Sequence, residues 1–385
     1  MCVLWLDLVS ELGGAQYSLL ETCTGLSAKG VEIAAAVPQG ALFDRLFENG
    51  IRVFPVSPLR ATKRGWGFFT TAAKLLRAPA TVRQIVQAVK PDIIHANSLP
   101  AFLAARKAVS RIPVIWHVRD IQMPAIIAHG AAKKAARIIA ASSTIDEMLT
   151  ETISSRNLGC VRMIRNGIDL ERFAHGDRTA IRQRLGVPDG CAVIGMIAHL
   201  IPWKRHDAFI AAAAEIHRQR PDARFVLVGR DLFSEHADWI AKLKKTIAET
   251  GLESSFHWVA DCDDASQILP AFDVLVHPAL HEPFGRVICE GMAAAVPVIA
   301  AASGGPATII EAGVSGVLVR DGTPQGIAKE VLALLADPAR AAALAAAGRD
   351  RVRNGFSVNS TCERLIKEYR IVIANAKAEN SPDSK

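Results

Sequence analysis

Aromatic residues are scarce in this chain, at 6% of its 385 positions, and several motifs that would name a chemistry at once are missing. The seven cysteines stand singly at 2, 23, 160, 191, 262, 289 and 362, with no Cys-x-x-Cys pair. An odd, scattered set excludes a disulfide framework and a structural zinc site, and it points to a reducing cytosol. No G-x-G-x-x-G follows the first apolar run, which argues against a dinucleotide dehydrogenase. No apolar stretch reaches the roughly 20 residues of a membrane span. The apolar start, Met1 to Val9, carries Asp7 and no basic flank, so it reads as a strand rather than a signal peptide. Acidic residues are absent between Glu48 and Asp92, where eight basic ones stand.

What is present is apolar bulk. Half the residues are hydrophobic, enough for large cores and too many for wholesale disorder. The length suits two domains. The net charge of +7 is uneven: residues 1–165 hold 20 Lys/Arg against 11 Asp/Glu, and the remainder holds 25 against 27. The basic block between 52 and 90 includes Arg60, Lys63, Arg64, Lys74, Arg77 and Arg83, with Trp66, Phe68 and Phe69 among them. Such a stretch suits peripheral contact with an anionic membrane or an anionic acceptor, or it is a solvated helix face. Nucleic acid is not expected, because no binding motif accompanies the charge.

Short apolar runs alternate with helical stretches throughout. Strands are expected at Val3–Val9, Val31–Val37, Ile51–Val56, Ile93–Ala96, Val114–Val118, Ile138–Ala141 and Val161–Arg165. The second half repeats the pattern at Ala192–Ile197, Arg224–Val228, Phe256–Val259, Val274–His277, Val298–Ala301 and Gly316–Val319. Continuous Val/Ile/Leu runs without polar alternation are typical of parallel strands buried on both faces. Helices are expected between them, for example Ala15–Lys29, Ala101–Val109, Arg205–Gln219, Ala237–Thr250 and Val287–Ala295. The series reads as two α/β Rossmann-like domains facing a central cleft, over 1–168 and 169–355. Gly167 is a natural hinge with φ > 0, and 376–385 reads as a disordered tail.

Ligands of such sheets bind beyond the strands' carboxyl ends, so the loops there carry the candidates. Gly13-Gly14-Ala15-Gln16 opens a helix after the first strand, where amides can meet a phosphate. His117, in Trp116-His117-Val118-Arg119-Asp120, ends the fifth strand and can donate to a sugar hydroxyl, with Asp120 placed to orient it. Lys204 and Arg205, after His199-Leu200-Ile201-Pro202-Trp203, offer fixed cations to a diphosphate whose charge rises as a sugar leaves. Glu282 and Glu290 stand eight residues apart around Pro283-Phe284-Gly285. Glu282 would accept from sugar hydroxyls and Glu290 from a ribose diol, with the Phe284 and Gly285 amides at a helix start. Ala302-Ser303-Gly304-Gly305-Pro306 supplies further amides. Asp261-Cys262-Asp263-Asp264 could be a metal-binding pair but reads as helix-capping aspartates.

With these residues in view, the chain resembles the retaining glycosyltransferases of family four, of GT-B fold (glycosyltransferase group 1), over nearly its full length. Its most specific part is Glu282-x7-Glu290, then Ala300–Gly305, then Glu311-x-Gly313-x-x-Gly316, with Gly13-Gly14, His117 and Asn166-Gly167-Ile168-Asp169 in order. The resemblance implies that Gly14 and Lys204 meet the donor diphosphate, His117 and Glu282 the transferred sugar, and Glu290 the ribose. It implies a helix over 356–375 returning to the first domain, and retention of configuration without an essential metal or other cofactor. The implied partners are a nucleotide-sugar donor and a sugar, glycolipid or other anionic acceptor. The implied setting is bacterial envelope polysaccharide synthesis in the cytoplasm or at the inner membrane face. The chain departs from the family at four places, one of them Val228-Gly229-Arg230, which lacks the usual second glycine. His199 stands where Arg is usual, so a diphosphate contact would need it partly charged. Arg205 stands where Gly is usual, and Arg286 replaces an apolar residue. A nucleotide-sugar epimerase, a sugar phosphorylase on the same scaffold and a non-catalytic nucleotide-binding partner are the alternatives.

Overall fold

The computed structural model describes every residue except 60–65, 122–124, 261, 263 and 380–385, with no side-chain detail for 66–76. Much of the basic and aromatic block (Arg60, Lys63, Arg64, Trp66, Phe68, Phe69 and Lys74) therefore lies outside the described side chains, as do Asp261 and Asp263. The chain forms two compact units: Met1–Gly167 with Val358–Lys385, and Ile168–Ser357.

The first unit runs β1 (Cys2–Leu6), α1 (Gly14–Ala28), β2 (Glu32–Val37), α2 (Ala41–Glu48), β3 (Arg52–Pro55), α3 (Trp66–Val89), β4 (Ile93–Ala96) and α4 (Leu99–Ala108). It continues through β5 (Val114–Val118), α5 (Ala125–Ala132), β6 (Arg137–Ala140), α6 (Ser143–Thr152), α7 (Ser155–Leu158) and β7 (Val161–Met163). The strands pair in parallel in the order β3-β2-β1-β4-β5-β6-β7. Alternate residues feed opposite layers, as the strand period requires. Leu4, Leu6, Ile94, Trp116 and Ile138 pack on one face, and Val3, Trp5, Ile33, Ile115 and Ile139 on the other. β1 stops at Leu6, short of the expected Val9, because the Asp7 carboxylate accepts from the Leu8 amide at 2.7 Å and the Val9 amide at 3.3 Å. A side-chain acceptor there replaces the ladder. Arg83, one of the basic block, donates to the Ala108 carbonyl at 3.3 Å, where α4 leaves acceptors unpaired.

The second unit runs α8 (Arg178–Arg184), β8 (Val193–Ile197), α9 (His206–Gln219), β9 (Arg224–Val228), α10 (Ala237–Glu249), β10 (Phe256–Val259), β11 (Val274–His277) and α11 (Arg286–Ala293). After these come β12 (Val298–Ala301), α12 (Gly305–Ile309), β13 (Val317–Val319), α13 (Pro324–Ala336) and α14 (Pro338–Gly355). Its six strands are also parallel, in the order β10-β9-β8-β11-β12-β13. Gly195 on β8 lies under the Phe272 ring: a Cβ there would fall 2.1 Å from a ring carbon.

The last helix, α15 (Val358–Glu379), belongs to the first unit. Cys362, Leu365, Tyr369 and Val372 make one buried stripe at helical spacing and join the core behind β1. Arg137 on β6 pairs with Glu368 at 2.9 Å, both largely buried. The helix continues through Glu379, so Ala376–Glu379 is helical where the sequence suggested a tail. Gly167 does not adopt positive φ, so its place beside the unit boundary needs no glycine-only backbone. Among the described residues no single helix is long and apolar enough to cross a membrane.

The Phe272 contact gives a test of core packing. Gly195→Ala forces the ring or the strand to shift and should cost about 1–3 kcal/mol. In urea titration the midpoint should fall at unchanged slope; an unmoved midpoint would mean that the strand yields freely.

Candidate functional site

Each sheet changes direction once. In the second unit the order turns between β8 and β11, and the loops that follow those two strands flank the crevice where open α/β sheets take ligands. Lys204 sits in a short 3-10 turn, Pro202–Lys204, after β8. Glu282 sits in the loop after β11, and its carboxylate accepts from the Lys204 ammonium. The same oxygen, Oε2, accepts from His277 Nε2 at 3.1 Å. Glu282 is 7% exposed. Burial alone would push its carboxyl up, but Lys204 and the His277 hydrogen bond outweigh burial and hold it well below the ordinary range. Lys204 is also steadied by Trp203, whose ring centroid lies 4.1 Å from the ammonium.

Two glycines set the Glu282 loop. Gly304 (φ +64) and Gly305 follow β12 and run against it: a Cβ on Gly304 would fall 2.5 Å from the Glu282 carbonyl oxygen, and one on Gly305 2.0 Å from that of Phe284. The Gly305 amide donates to the Glu282 carbonyl at 2.7 Å. That amide, read from sequence as available to a ligand, therefore fixes the loop that carries Glu282. Phe284 is buried in the core, 6.1 Å from Phe356 between ring centroids. Gly285 (φ +91) is the left-handed N-cap of α11. Glu290 lies inside that helix and accepts from Arg286 Nε at 2.6 Å, both side chains about nine-tenths buried. The unusual Arg286 thus balances Glu290.

The surroundings of two further candidates differ from what the sequence suggested. Burial, then the Lys204 cation, lowers His199 to about 4, against the partial charge that a diphosphate contact would need. Arg205 adopts φ +59, a left-handed conformation suited to glycine, and its guanidinium donates to the Asp321 carbonyl at 2.8 Å. It is thus tied to the loop after β13 rather than to the Lys204–Glu282 pair. Asp264 caps a short turn through the Ser266 amide at 2.9 Å and pairs with Arg172 at 2.8 Å. That fits the capping reading.

The first unit turns between β1 and β4. Asp7 and Asn97, from the loops beyond those strands, meet: Asn97 Nδ2 donates to Asp7 Oδ2 at 2.7 Å. Gln16 Nε2 donates to the same oxygen at 3.0 Å. The Gly13 amide donates to Gln16 Oε1 at 3.2 Å and to the Glu11 carbonyl at 3.1 Å, so it is engaged within the fold rather than held for phosphate. Gly14 is exposed as the first residue of α1, with open space where a side chain would be. Arg119 ties the loops together: Nε donates to Asn97 Oδ1 and Nη1 to Asn166 Oδ1, both at 2.6 Å. His117 is 2% exposed. Its Nδ1 lies 2.9 Å from His95 Nε2 and 3.4 Å from Arg119 Nη2. His117 is held by His95 and Arg119, not by Asp120 as the sequence suggested. Burial and then the Arg119 charge hold both imidazoles well below the ordinary histidine value. Asp7, Asn97, His95 and His277 were not singled out from sequence; strand-end polar residues flanking each switch point are the signal that would have found them. Among the described residues no group of three His, Cys, Asp or Glu could hold a metal ion.

Comparison with known proteins agrees with the two-sheet fold. The family model described as Glycosyltransferase Family 4 matches residues 12–172, and that described as Glycosyl transferases group 1 matches 177–351. The chain is 28% identical over 400 residues to D-inositol 3-phosphate glycosyltransferase 1 of Catenulispora acidiphila, covering 95% of this chain and 93% of that protein. It is 26% identical to the Stackebrandtia nassauensis D-inositol 3-phosphate glycosyltransferase, covering 97% and 91%. The structure of Anabaena Alr3699/HepE in complex with UDP-glucose superposes with a TM-score of 0.82 at 25% identity, over 96% and 100% of the two chains. Sucrose-phosphate synthase from Thermosynechococcus elongatus shares the fold at TM-score 0.82 and 19% identity.

The Lys204–Glu282 pair makes a stability prediction. A carboxyl whose folded-state value is depressed contributes stability that is present above its unfolded value and lost as pH falls toward the folded one. Glu282→Gln should therefore cost about 3 kcal/mol at pH 7, by leaving Lys204 without its carboxylate. It should also flatten the loss of stability below about pH 4.5. Urea titrations of both proteins from pH 7 to pH 3 read both effects; parallel curves would remove the pair's role.

Proposed function

We propose that this chain, which belongs to the GT-B glycosyltransferases of family four with their group 1 second half, moves a sugar from a nucleotide diphosphate to an anionic acceptor with retention of anomeric configuration. The observation that carries the reading is the Lys204–Glu282–His277 cluster at the switch point of the second sheet. When the glycosidic bond to the diphosphate breaks, negative charge gathers on the leaving phosphate. A lysine already fixed beside that point stabilises the charge with little rearrangement. Glu282, held as an anion, accepts only, and so suits sugar hydroxyls. Glu290, its carboxylate oriented by Arg286, suits a ribose diol. In this reading Lys204 performs the neutralisation that a metal ion supplies in other transferases.

The donor and acceptor classes rest on the relatives and on charge. A protein of like fold is solved with UDP-glucose, which makes UDP-glucose the first donor to test. The curated relatives are named for an inositol phosphate acceptor. The first 165 residues carry 20 basic against 11 acidic residues, which favours a phosphate-bearing or otherwise anionic acceptor. Work on such an acceptor at the inner membrane face, in envelope polysaccharide or glycolipid assembly, fits the same balance.

The purified chain, incubated with UDP-glucose and D-inositol 3-phosphate or phosphate-bearing glycolipids, should release UDP and form a glycoside. Its anomeric proton coupling should match that of the donor, and EDTA should leave the rate unchanged. Lys204→Ala should lower kcat roughly 100- to 1,000-fold, and Glu290→Ala should raise the donor KM. An isomerised nucleotide sugar without transfer would point to an epimerase. Normal turnover by Lys204→Ala would contradict the leaving-group role.

A further inference from the structure

Buried behind the first unit's switch point is a chain of ring groups that the proposed reaction does not by itself require. Tyr369 Oη, from α15, lies 2.7 Å from His95 Nδ1. His95 Nε2 lies 2.9 Å from His117 Nδ1. Trp5 on β1 stacks on the His95 ring at 3.7 Å, with the planes 9° apart, and so fixes its orientation. Tyr369 and His95 are fully buried and His117 nearly so. His117 Nε2 is the one ring nitrogen of the two histidines with no partner among the described residues.

Distances alone allow two directions for this chain, and one neighbour decides between them. Arg119 Nη2 lies 3.4 Å from His117 Nδ1. A guanidinium only donates, so Nδ1 must accept. A neutral imidazole that accepts at Nδ1 carries its proton on Nε2. The hydrogen at the 2.9 Å contact then belongs to His95 Nε2, which leaves His95 Nδ1 bare, and the hydrogen at the 2.7 Å contact belongs to the Tyr369 hydroxyl. Burial keeps both imidazoles neutral and the phenol protonated, so each group has one hydrogen to place.

We propose that Tyr369 and His95 are positioning residues: the hydroxyl of the C-terminal helix, acting through His95 and aligned by Arg119, locks His117 in the form that presents Nε2–H as a donor. The locked donor meets a sugar hydroxyl or an anionic oxygen, not a group that must give up a proton. Only this last step rests on the glycosyl-transfer reading; the tautomer does not. A strand-end histidine is thereby set by one of the chain's two tyrosines, 252 positions further along the sequence.

The test uses the full-length protein with ring-15N histidine, assigned through His117→Asn and His95→Gln. At pH 7.5 long-range 1H–15N spectra should show both histidines as single Nε2–H tautomers; an Nδ1–H form of His117 overturns the proposal. Tyr369→Phe keeps the ring and removes only the hydroxyl. Without that hydrogen bond's preference, both rings should show an Nδ1–H share that the unmodified protein lacks, held below half by Arg119, and kcat for UDP-glucose should fall in proportion to that share, by no more than about twofold, with the donor KM within about twofold. Unchanged patterns in that variant overturn the relay. Should Tyr369→Phe not fold, the tautomers of the unmodified protein still decide. Correct tautomers with no sugar transfer would sink the functional reading and leave the relay standing.

Discussion

A parallel sheet covered by helices on both faces can host charge only beyond its strand ends, and that constraint organises both units. The central strands are mostly Val, Ile, Leu or Ala and buried on either side, so most charged side chains are displaced to the loops. At the point where strand order reverses, two neighbouring loops part and leave room. Lys204 and Glu282 occupy that place in one unit, and Asp7 and Asn97 in the other. The loops are held by the fold as well as carried by it. The Gly305 amide fixes the Glu282 loop, and the Gln16 side chain joins Gly13 to Asp7.

Charge is handled differently in the two places. Around Glu282 a single carboxylate faces a lysine, with neutral histidines at 199 and 277, so the pair is close to balanced and Lys204 need not be dragged from water to meet a ligand. Around Arg119 a cation that cannot give up its proton is surrounded by amide oxygens and an imidazole nitrogen. It acts as a fixed sign for its neighbours: every group facing it must accept. Buried networks of this kind are rigid because each unmade hydrogen bond is costly in a low dielectric. A side chain on the last helix is therefore able to set the state of a residue at the end of β5.

All thirteen expected runs became strands, within a few residues, because continuous apolar β-branched stretches broken by polar loops are a local signal. The misplaced ends have identifiable causes. Asp7 ended β1 through its own carboxylate, and α15 ran on through Ala376–Glu379. Among candidate site residues, the placing of Lys204, Glu282, Gly14 and His117 at strand ends, post-strand loops or a helix start, and of Glu290 inside a helix, was legible from the sequence. Arg205 and the Gly13 amide were legible too, but their partners were not: Asp321 is 116 positions from Arg205, and Gln16 competes locally for Gly13.

The sequence by itself determined the two sheets, the placing of polar loops after strands and the residue types available there, since these follow from the periodicity of neighbouring positions. Only the tertiary structure decided which of those residues meet and in what protonation state. His199 is neutral beside Lys204, Glu290 is balanced by Arg286, and His117 is governed by His95, Arg119 and Tyr369. The physical reason is that a pKa or a tautomer depends on burial and on charges brought together from distant segments, and neither is written in the spacing along the chain.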